Sequence, residues 1–511
     1  MRDVKAKVTV RFAFIAILLM ASTFSTTAQS FSWGFPFHMD DEIDYSVQHF
    51  EDGDIFRIKS KYRLADFDYV IQSDRLSKAE LERIETTDLS AINENPIDAL
   101  KTHLNMHQID GKEFLFFSSE YIGDTKATKL YRQNVNAETG VRSAYVEVTS
   151  VEGKGTLNTG RFETAMSPDG AYFAVVKVPA FYKKEQETIA VEVYDAEFNK
   201  VHEINHVFDR QAKRGPLYSV YIANDGEVYL VSRLDLKKQL PYLEVYTAGL
   251  TDKAFETTTL RQEDDFQLVQ SYPYLIENDL CLVSVVSITG ASGVQIRPDY
   301  DGRSLGARGS GLLLTRFSGG QLLYNERTDF ENSVPNLMIK DVLAADGGHY
   351  IVMEQLFESA KSTATNLTDA NAKMDYSYLN DGFMVAHCDI SSGAVNWFYQ
   401  IQIDEPDTKN DNGAYLSVLP LVKGSMLVLL YNETRVLNGK DGNRRRRFPI
   451  IEVISATGET VRKEPLMAAG VGAEYFQNIE LDTSVIHQLD ENKYLVRGRS
   501  RAEYKYGYLT F

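Results

Sequence analysis

Cysteine and tryptophan are nearly missing from this chain, at two each in 511 residues. So few cysteines exclude an array of small disulfide-stapled domains. Thirteen prolines and 33 glycines are ordinary frequencies, which removes collagen-like and low-complexity classes. Basic residues are outnumbered, 54 Lys and Arg against 72 Asp and Glu, for a net charge of −18. A protein whose main partner is a nucleic-acid backbone needs a large basic field to release counterions, so that class falls away too. What the chain has is 43% hydrophobic and 11% aromatic residues, ample for a sizeable core.

The first residues read as an export signal. Arg2, Lys5, Lys7 and Arg11 precede an apolar run over 12–20, and small residues end the segment at Ala28. The run is too short for the ~20 residues that a bilayer-spanning helix requires, so cleavage after Ala28 and a periplasmic or extracellular location are expected, with no membrane span afterwards. Loss of 1–28, four basic residues against Asp3, leaves the mature chain three units more negative than −18. Cys281 and Cys388 sit in separate apolar runs, where buried free thiols are expected.

Short apolar runs bounded by turn residues recur along the whole chain, the pattern of an all-β protein. One turn type repeats: Asp52-Gly53 before Ile55, Asp110-Gly111 before Phe114, Ser167-Pro168-Asp169-Gly170 before Tyr172, Asp225-Gly226 before Val228. Weaker copies stand at Asn278-Asp279, Asp346-Gly347, Lys423-Gly424 and Glu491-Asn492, so eight markers are spaced 53 to 77 residues apart. Within a unit the order is strand, tight turn, strand, variable connection, strand, tight turn, strand. Repeats of this length with four antiparallel strands predict a β-propeller over 29–511, with eight blades favoured and seven the alternative.

The Ser167-Pro168-Asp169-Gly170 turn followed by an apolar strand resembles the blade signature of the TolB, YVTN and prolyl-oligopeptidase class of propellers. The resemblance implies a fold and carries over no catalytic residue. The last unit stops after three strands, so residues 31–37 are expected to add beside the C-terminal strand and close the ring. Ser77-Lys78-Ala79-Glu80 matches a capping box, which predicts a short helical insertion near 74–105. An outer-membrane barrel fits poorly, because runs such as 280–286 are apolar on both faces rather than alternating.

In such a blade the second-to-third connections all lie on one face. Those of the fifth, sixth and seventh units, 290–310, 359–381 and 432–448, are the long ones, and neighbouring long loops on a rigid scaffold are where binding sites usually form. They carry Arg297, Tyr300, Arg303 and Arg308, then Tyr376 and Tyr378, then Arg435, Arg444, Arg445, Arg446 and Arg447. A basic zone on an acidic protein would draw an anionic ligand, a glycan or an acidic protein surface.

Catalytic motifs fail on context. His202-Glu203-Ile204-Asn205-His206 spells a zinc-protease signature, but on a strand the histidines would lie ~13 Å apart, too far to share an ion. His103 and His107 repeat the spacing and read as ordinary core or surface histidines. Gly302-Arg303-Ser304-Leu305-Gly306 matches a nucleophile elbow, yet the chain has no room for a hydrolase domain after the last unit. Asp299-Tyr300-Asp301-Gly302 and residues 407–413 look oxygen-rich but lack the alternating acidic spacing of a calcium loop, so a structural calcium is the sole cofactor to weigh and none is required. The reading is an exported scaffold that binds a protein or polymer through the long-loop face; a polysaccharide-active enzyme and a structural subunit of a cell-envelope assembly are the alternatives.

Overall fold

The structure, a computed structural model, describes residues 30–511 except 39–41, 50–54, 64–67, 79–80, 90–101, 111, 213–217, 235–241, 261–265, 289–294, 297–307, 347, 363–373, 404–407, 410–414, 440–441, 467–478 and 501–502. The signal-like segment 1–28 therefore lies outside the described residues. Among those described, every helix or strand is a β-strand, and the strands form eight separate sheets. In chain order these blades span 42–88, 102–152, 161–211, 218–260, 267–335, 337–402, 418–465 and 480–510. In each, neighbours along the chain pair antiparallel, and the first strands of successive blades adjoin, so they line the axis of the ring.

The turn chemistry of the third blade shows why these residues make hairpins. Ser167 Oγ accepts the Tyr172 N–H at 3.0 Å and donates to Asp169 Oδ1 at 2.7 Å, which also takes the Ala171 N–H. Gly170 supplies φ +73°, a conformation a side chain would strain. The Ser167 hydroxyl and the Ala171 amide hold the Asp169 carboxyl below its usual pKa. The Asp169 N–H in turn donates to Asn224 Oδ1, tying this turn to its equivalent in blade 4.

Ser30–His38 pairs antiparallel with Glu503–Thr510, from Ser30↔Thr510 to His38↔Glu503, and completes blade 8 as its outermost strand. The predicted closure is thus realised, and the ring has eight blades rather than seven. The apolar cores confirm closure, since one cluster sits at each of the eight blade boundaries. Ile55 and Leu76 of blade 1 pack on Leu495 and Tyr506 of blade 8, for example, and Phe56 on Phe114 of blade 2. Because a blade is covered on both faces, a middle strand can be buried along its whole length, as every residue of Asp279–Ser287 is. Side-chain amides clip blade to blade as well, with Gln270 bonding both backbone groups of Ile339 and Asn432 those of Leu481.

Among the described residues of 74–105, strands and a turn stand where a short helix is predicted. Ser77 opens a hairpin turn between Asp68–Leu76 and Arg83–Asp88; its Oγ accepts from the Glu82 N–H at 3.0 Å and its carbonyl from the Leu81 N–H at 3.0 Å. Leu81, at φ +54° and 1% exposed, is drawn into the core between blades 8 and 1, and that burial decides the conformation over local helix preference. Residues 90–101 lie outside the described residues.

Cys281 and Cys388 are buried and free, as expected, and burial pushes both thiols up to about 12, which leaves them unreactive near neutrality. His349 is 4% exposed with neither ring nitrogen hydrogen-bonded, and burial, with Arg316 and His387 nearby, lowers its pKa to about 4. The unfolded chain takes up this proton near 6.5, so the stability His349 lends is full above that pH and is lost as pH falls toward about 4. Melting temperatures measured between about pH 7 and pH 5 should therefore fall less steeply for His349→Leu than for the parent; identical slopes would contradict this.

Candidate functional site

The first-to-second and third-to-fourth turns share one face of the ring, and the second-to-third connections and inter-blade connectors share the other. On that second face the long second-to-third connections are confined to one sector. Blades 1, 2, 3 and 8 join their second and third strands through only 64–67, 123–126, 179–185 and 501–502. Blades 5, 6 and 7 are the elaborated ones, and they are consecutive around the ring.

Two of the three expected loops are instead β-hairpins. In blade 6, Gly348–Ser362 and Met374–Cys388 stay paired for seven residue pairs past the flanking strands, from Leu356↔Asn380 to Ser362↔Met374. In blade 7, Met426–Gly439 and Gly442–Ile454 continue for eight pairs, from Asn432↔Pro449 to Gly439↔Gly442, so what reads as loop 432–448 has a turn of just 440–441. At ~3.3 Å per residue these arms reach ~20–25 Å beyond the blades. Gly382 marks the point where the blade 6 arm departs: its φ is +149°, and a Cβ there would meet the Ile401 carbonyl oxygen at 2.3 Å. The arm is broadened by Thr408–Lys409, from the following connector, which pairs with Tyr378 and Ser377. The blade 5 connection keeps its loop character, but Gln295–Ile296 within it pairs parallel with Gln270 and Ser271 of the axial strand, so it passes beside the mouth of the channel.

The predicted site residues distribute over this sector unevenly. Arg308 opens the third strand of blade 5, opposite Pro335, and is exposed. Arg297, Tyr300 and Arg303 lie outside the described residues, as do Ser304 and the oxygen-rich Asp299 and Asp301. Tyr376 and Tyr378 fall on the blade 6 arm opposite Ala360 and Glu358. On the blade 7 arm the register sets Arg435 against Arg446, Val436 against Arg445, Leu437 against Arg444 and Thr434 against Arg447.

Arg447 is built into the base of the arm. Its guanidinium is 8% exposed and pairs with Glu480 of blade 8, Nη1 to Oε1 4.0 Å, while Arg499 takes the other oxygen at 2.9 Å and lies over the Tyr415 ring at 3.7 Å. Together with the Asn432 clip to Leu481, this seats the arm on the next blade. At the base of the blade 6 arm, Glu354 is fully buried; Ser417 donates to Oε2 at 2.5 Å and Oε1 has no partner.

The same face carries a network that no local pattern announces. Arg210, at the end of Lys200–Gln211, donates from Nε and Nη2 to the two Glu187 oxygens at 3.1 and 2.9 Å, and from Nη1 to Glu244 Oε2 at 3.0 Å and to the Tyr246 hydroxyl at 3.1 Å. Tyr218 donates to Glu187 and Tyr246 to Glu244. Burial and these carboxylates raise the pKa of both tyrosines and keep them protonated. The partners stand 23 to 36 positions apart, so only the packing of blade 3 on blade 4 assembles them.

The two histidines of the zinc-protease spelling each have other partners. His202 and His206 lie on one strand, the former bonded to the Asp252 carbonyl at 2.8 Å and the latter packed edge-on against Phe208, Tyr246 and Phe255. His107 packs edge-on against Phe117 and Phe173, and burial lowers its pKa. Among the described residues no cluster of three His, Cys, Asp or Glu could hold a metal, and no helix is long and apolar enough to cross a membrane.

Fold and strand order define an eight-bladed β-propeller of the antiparallel, four-stranded type. No family model and no curated relative matches the chain. The solved structures similar to it include a propeller domain. The β-propeller domain of the Trilobed protease from Pyrococcus furiosus is 9% identical with a TM-score of 0.35, over 85% of this chain and 100% of that one. The WD40 domain of SCAP from fission yeast is 10% identical with a TM-score of 0.36, over 94% of each chain. A post-proline cleaving enzyme from Rickettsia typhi is 7% identical with a TM-score of 0.39, over 90% of this chain and 57% of that one.

Proposed function

We propose that this chain is an exported propeller scaffold that captures an anionic partner, an acidic protein surface or surface polymer, on the sector formed by blades 5 to 7. The observation that carries the reading is the pair of neighbouring hairpin arms, standing seven and eight residue pairs above the blades, where blades 1 to 4 and 8 have short second-to-third connections. Arms whose strands are already paired present a binding surface with less chain to order than a long loop has, so less entropy opposes association. Arginines 435, 444, 445 and 446 on one arm supply positive charge to a protein of net charge −18. Such a local inversion of sign attracts anions and speeds their encounter. The signal-like residues 1–28 support a location outside the cytoplasm, where such polymers and surfaces are met.

Retention on an immobilised polyanion, poly-glutamate or heparin, tests this directly. A variant with Ser at 435, 444, 445 and 446, keeping Arg447 because it anchors the arm, should elute at clearly lower salt and bind about 10-fold more weakly or worse, with an unchanged melting temperature. Equal elution of parent and variant would refute the basic-arm reading.

A further inference from the structure

A cavity of about 490 Å³ opens on the same face at blade 3, between the connector 153–160 and the connection 179–185. Blade 3 stands four blades from blade 7, across the ring, so this cavity is independent of the arms. Its walls are held in place by the chain itself: the Asn158 amide donates to the Phe181 carbonyl at 2.8 Å and accepts the Phe181 N–H at 3.0 Å, and the Ala180 N–H donates to the Glu152 carbonyl at 2.9 Å.

Arg161, first residue of the axial strand Arg161–Met166, lines this cavity with an incomplete set of bonds. Its Nε and Nη2 are buried and have no hydrogen-bond partner; the nearest acid, Glu163, stands 3.6 Å from Nε, an ion pair without a hydrogen bond. These two nitrogens form one edge of the guanidinium, the fork that a carboxylate fills with two parallel bonds. An N–H pair shut from water and unfilled is costly, and a half-buried side chain can turn that edge toward an anion entering the cavity. Lys154, Lys183 and Lys184, on the two segments that bound the cavity, are exposed, and Lys154 lies over the Tyr182 ring at 4.7 Å.

The other polar groups are hydrogen-bond acceptors and neutral amides or hydroxyls. Glu152 takes the Tyr182 hydroxyl on Oε1 at 2.5 Å, Glu185 is exposed, and Asn158, Thr159, Gln186 and Thr188 also line the cavity. Glu187 contributes no free oxygen, because Arg210 and Tyr218 occupy it. One cationic fork in the wall of a cavity lined by several acceptors suits a ligand with one carboxylate and several hydroxyls. We propose that this cavity binds a uronic-acid residue of an acidic polysaccharide, its carboxylate on Arg161 and its ring hydroxyls donating to Glu152 and Glu185. The volume accommodates one or two sugar rings.

Titration calorimetry of the full mature chain with short oligomers of glucuronate, galacturonate and mannuronate tests the assignment, with glucose oligomers and an acetylated dipeptide as comparisons. Saturable binding of at least one uronate oligomer is expected. Arg161→Met should weaken it about 10- to 100-fold and Arg161→Lys, which keeps charge but not the fork, by an intermediate factor. The arm variant with four serines should bind the same oligomer unchanged, which separates this site from the basic-arm reading. No saturable uronate binding, equal binding of neutral glucose oligomers, preferential binding of the dipeptide, or an undiminished affinity in a folded Arg161→Met protein would each overturn it.

Discussion

Deleting residues 30–38 is expected to remove cooperative folding or to lower the melting temperature by about 10 °C or more. The segment is the fourth strand of blade 8, paired at seven register positions with Glu503–Thr510. Each backbone hydrogen bond contributes a net ~1 kcal/mol, so the ladder alone approaches the ~5–15 kcal/mol by which a folded protein is stable. Loss of the strand also leaves the edge of Glu503–Thr510 unpaired, and an unpaired edge invites pairing between molecules. Concentration-dependent association should therefore accompany the drop, and a synthetic peptide of residues 30–38 added in excess should reverse both. A truncated protein that melts within ~2 °C of the parent and stays monomeric would show that the ring does not depend on this closure.

Arg210→Met is the second large effect, expected to cost ~3–5 kcal/mol in chemical denaturation. Glu187 is 4% exposed and takes two bonds from this guanidinium, so removing it strands a carboxylate inside the boundary between blades 3 and 4 with only the Tyr218 hydroxyl. Glu244 and Tyr246 lose the same partner, and the guanidinium no longer stacks over Phe208, which it now does at 4.0 Å. Arg210→Met together with Glu187→Gln should recover part of the loss, because the amide carries no charge to bury. A single mutant within ~1 kcal/mol of the parent would mean that water reaches Glu187.

Blade number, strand order and ring closure were all legible along the chain because each rests on local chemistry. Asp169 and Gly170 make a tight turn whatever surrounds them, and a final unit one strand short signals a missing partner. The arms were misread for an equally local reason. Thr434 to Leu437 face Arg447 to Arg444 in a ladder that has no flanking strands to cover it, so the segment shows no apolar period and reads as loop. Ser77 shows the converse error: its spacing to Glu80 suggests a helix, and burial of Leu81 against blade 8 makes a hairpin instead.

By itself the sequence determined the repeat, the turns, the apolar middle strands and the sign of the overall charge, since all of these depend on neighbours within a few residues. Tertiary structure alone decided which groups meet: Arg210 with Glu187 and Glu244, Arg447 with Glu480, and Arg161 with a cavity, its Nε and Nη2 left without a hydrogen-bond partner. These contacts join blade to blade or strand to distant connector, and no residue type or spacing announces them. Closing eight sheets around one axis sets those distances, and the interactions of the face follow from that closure.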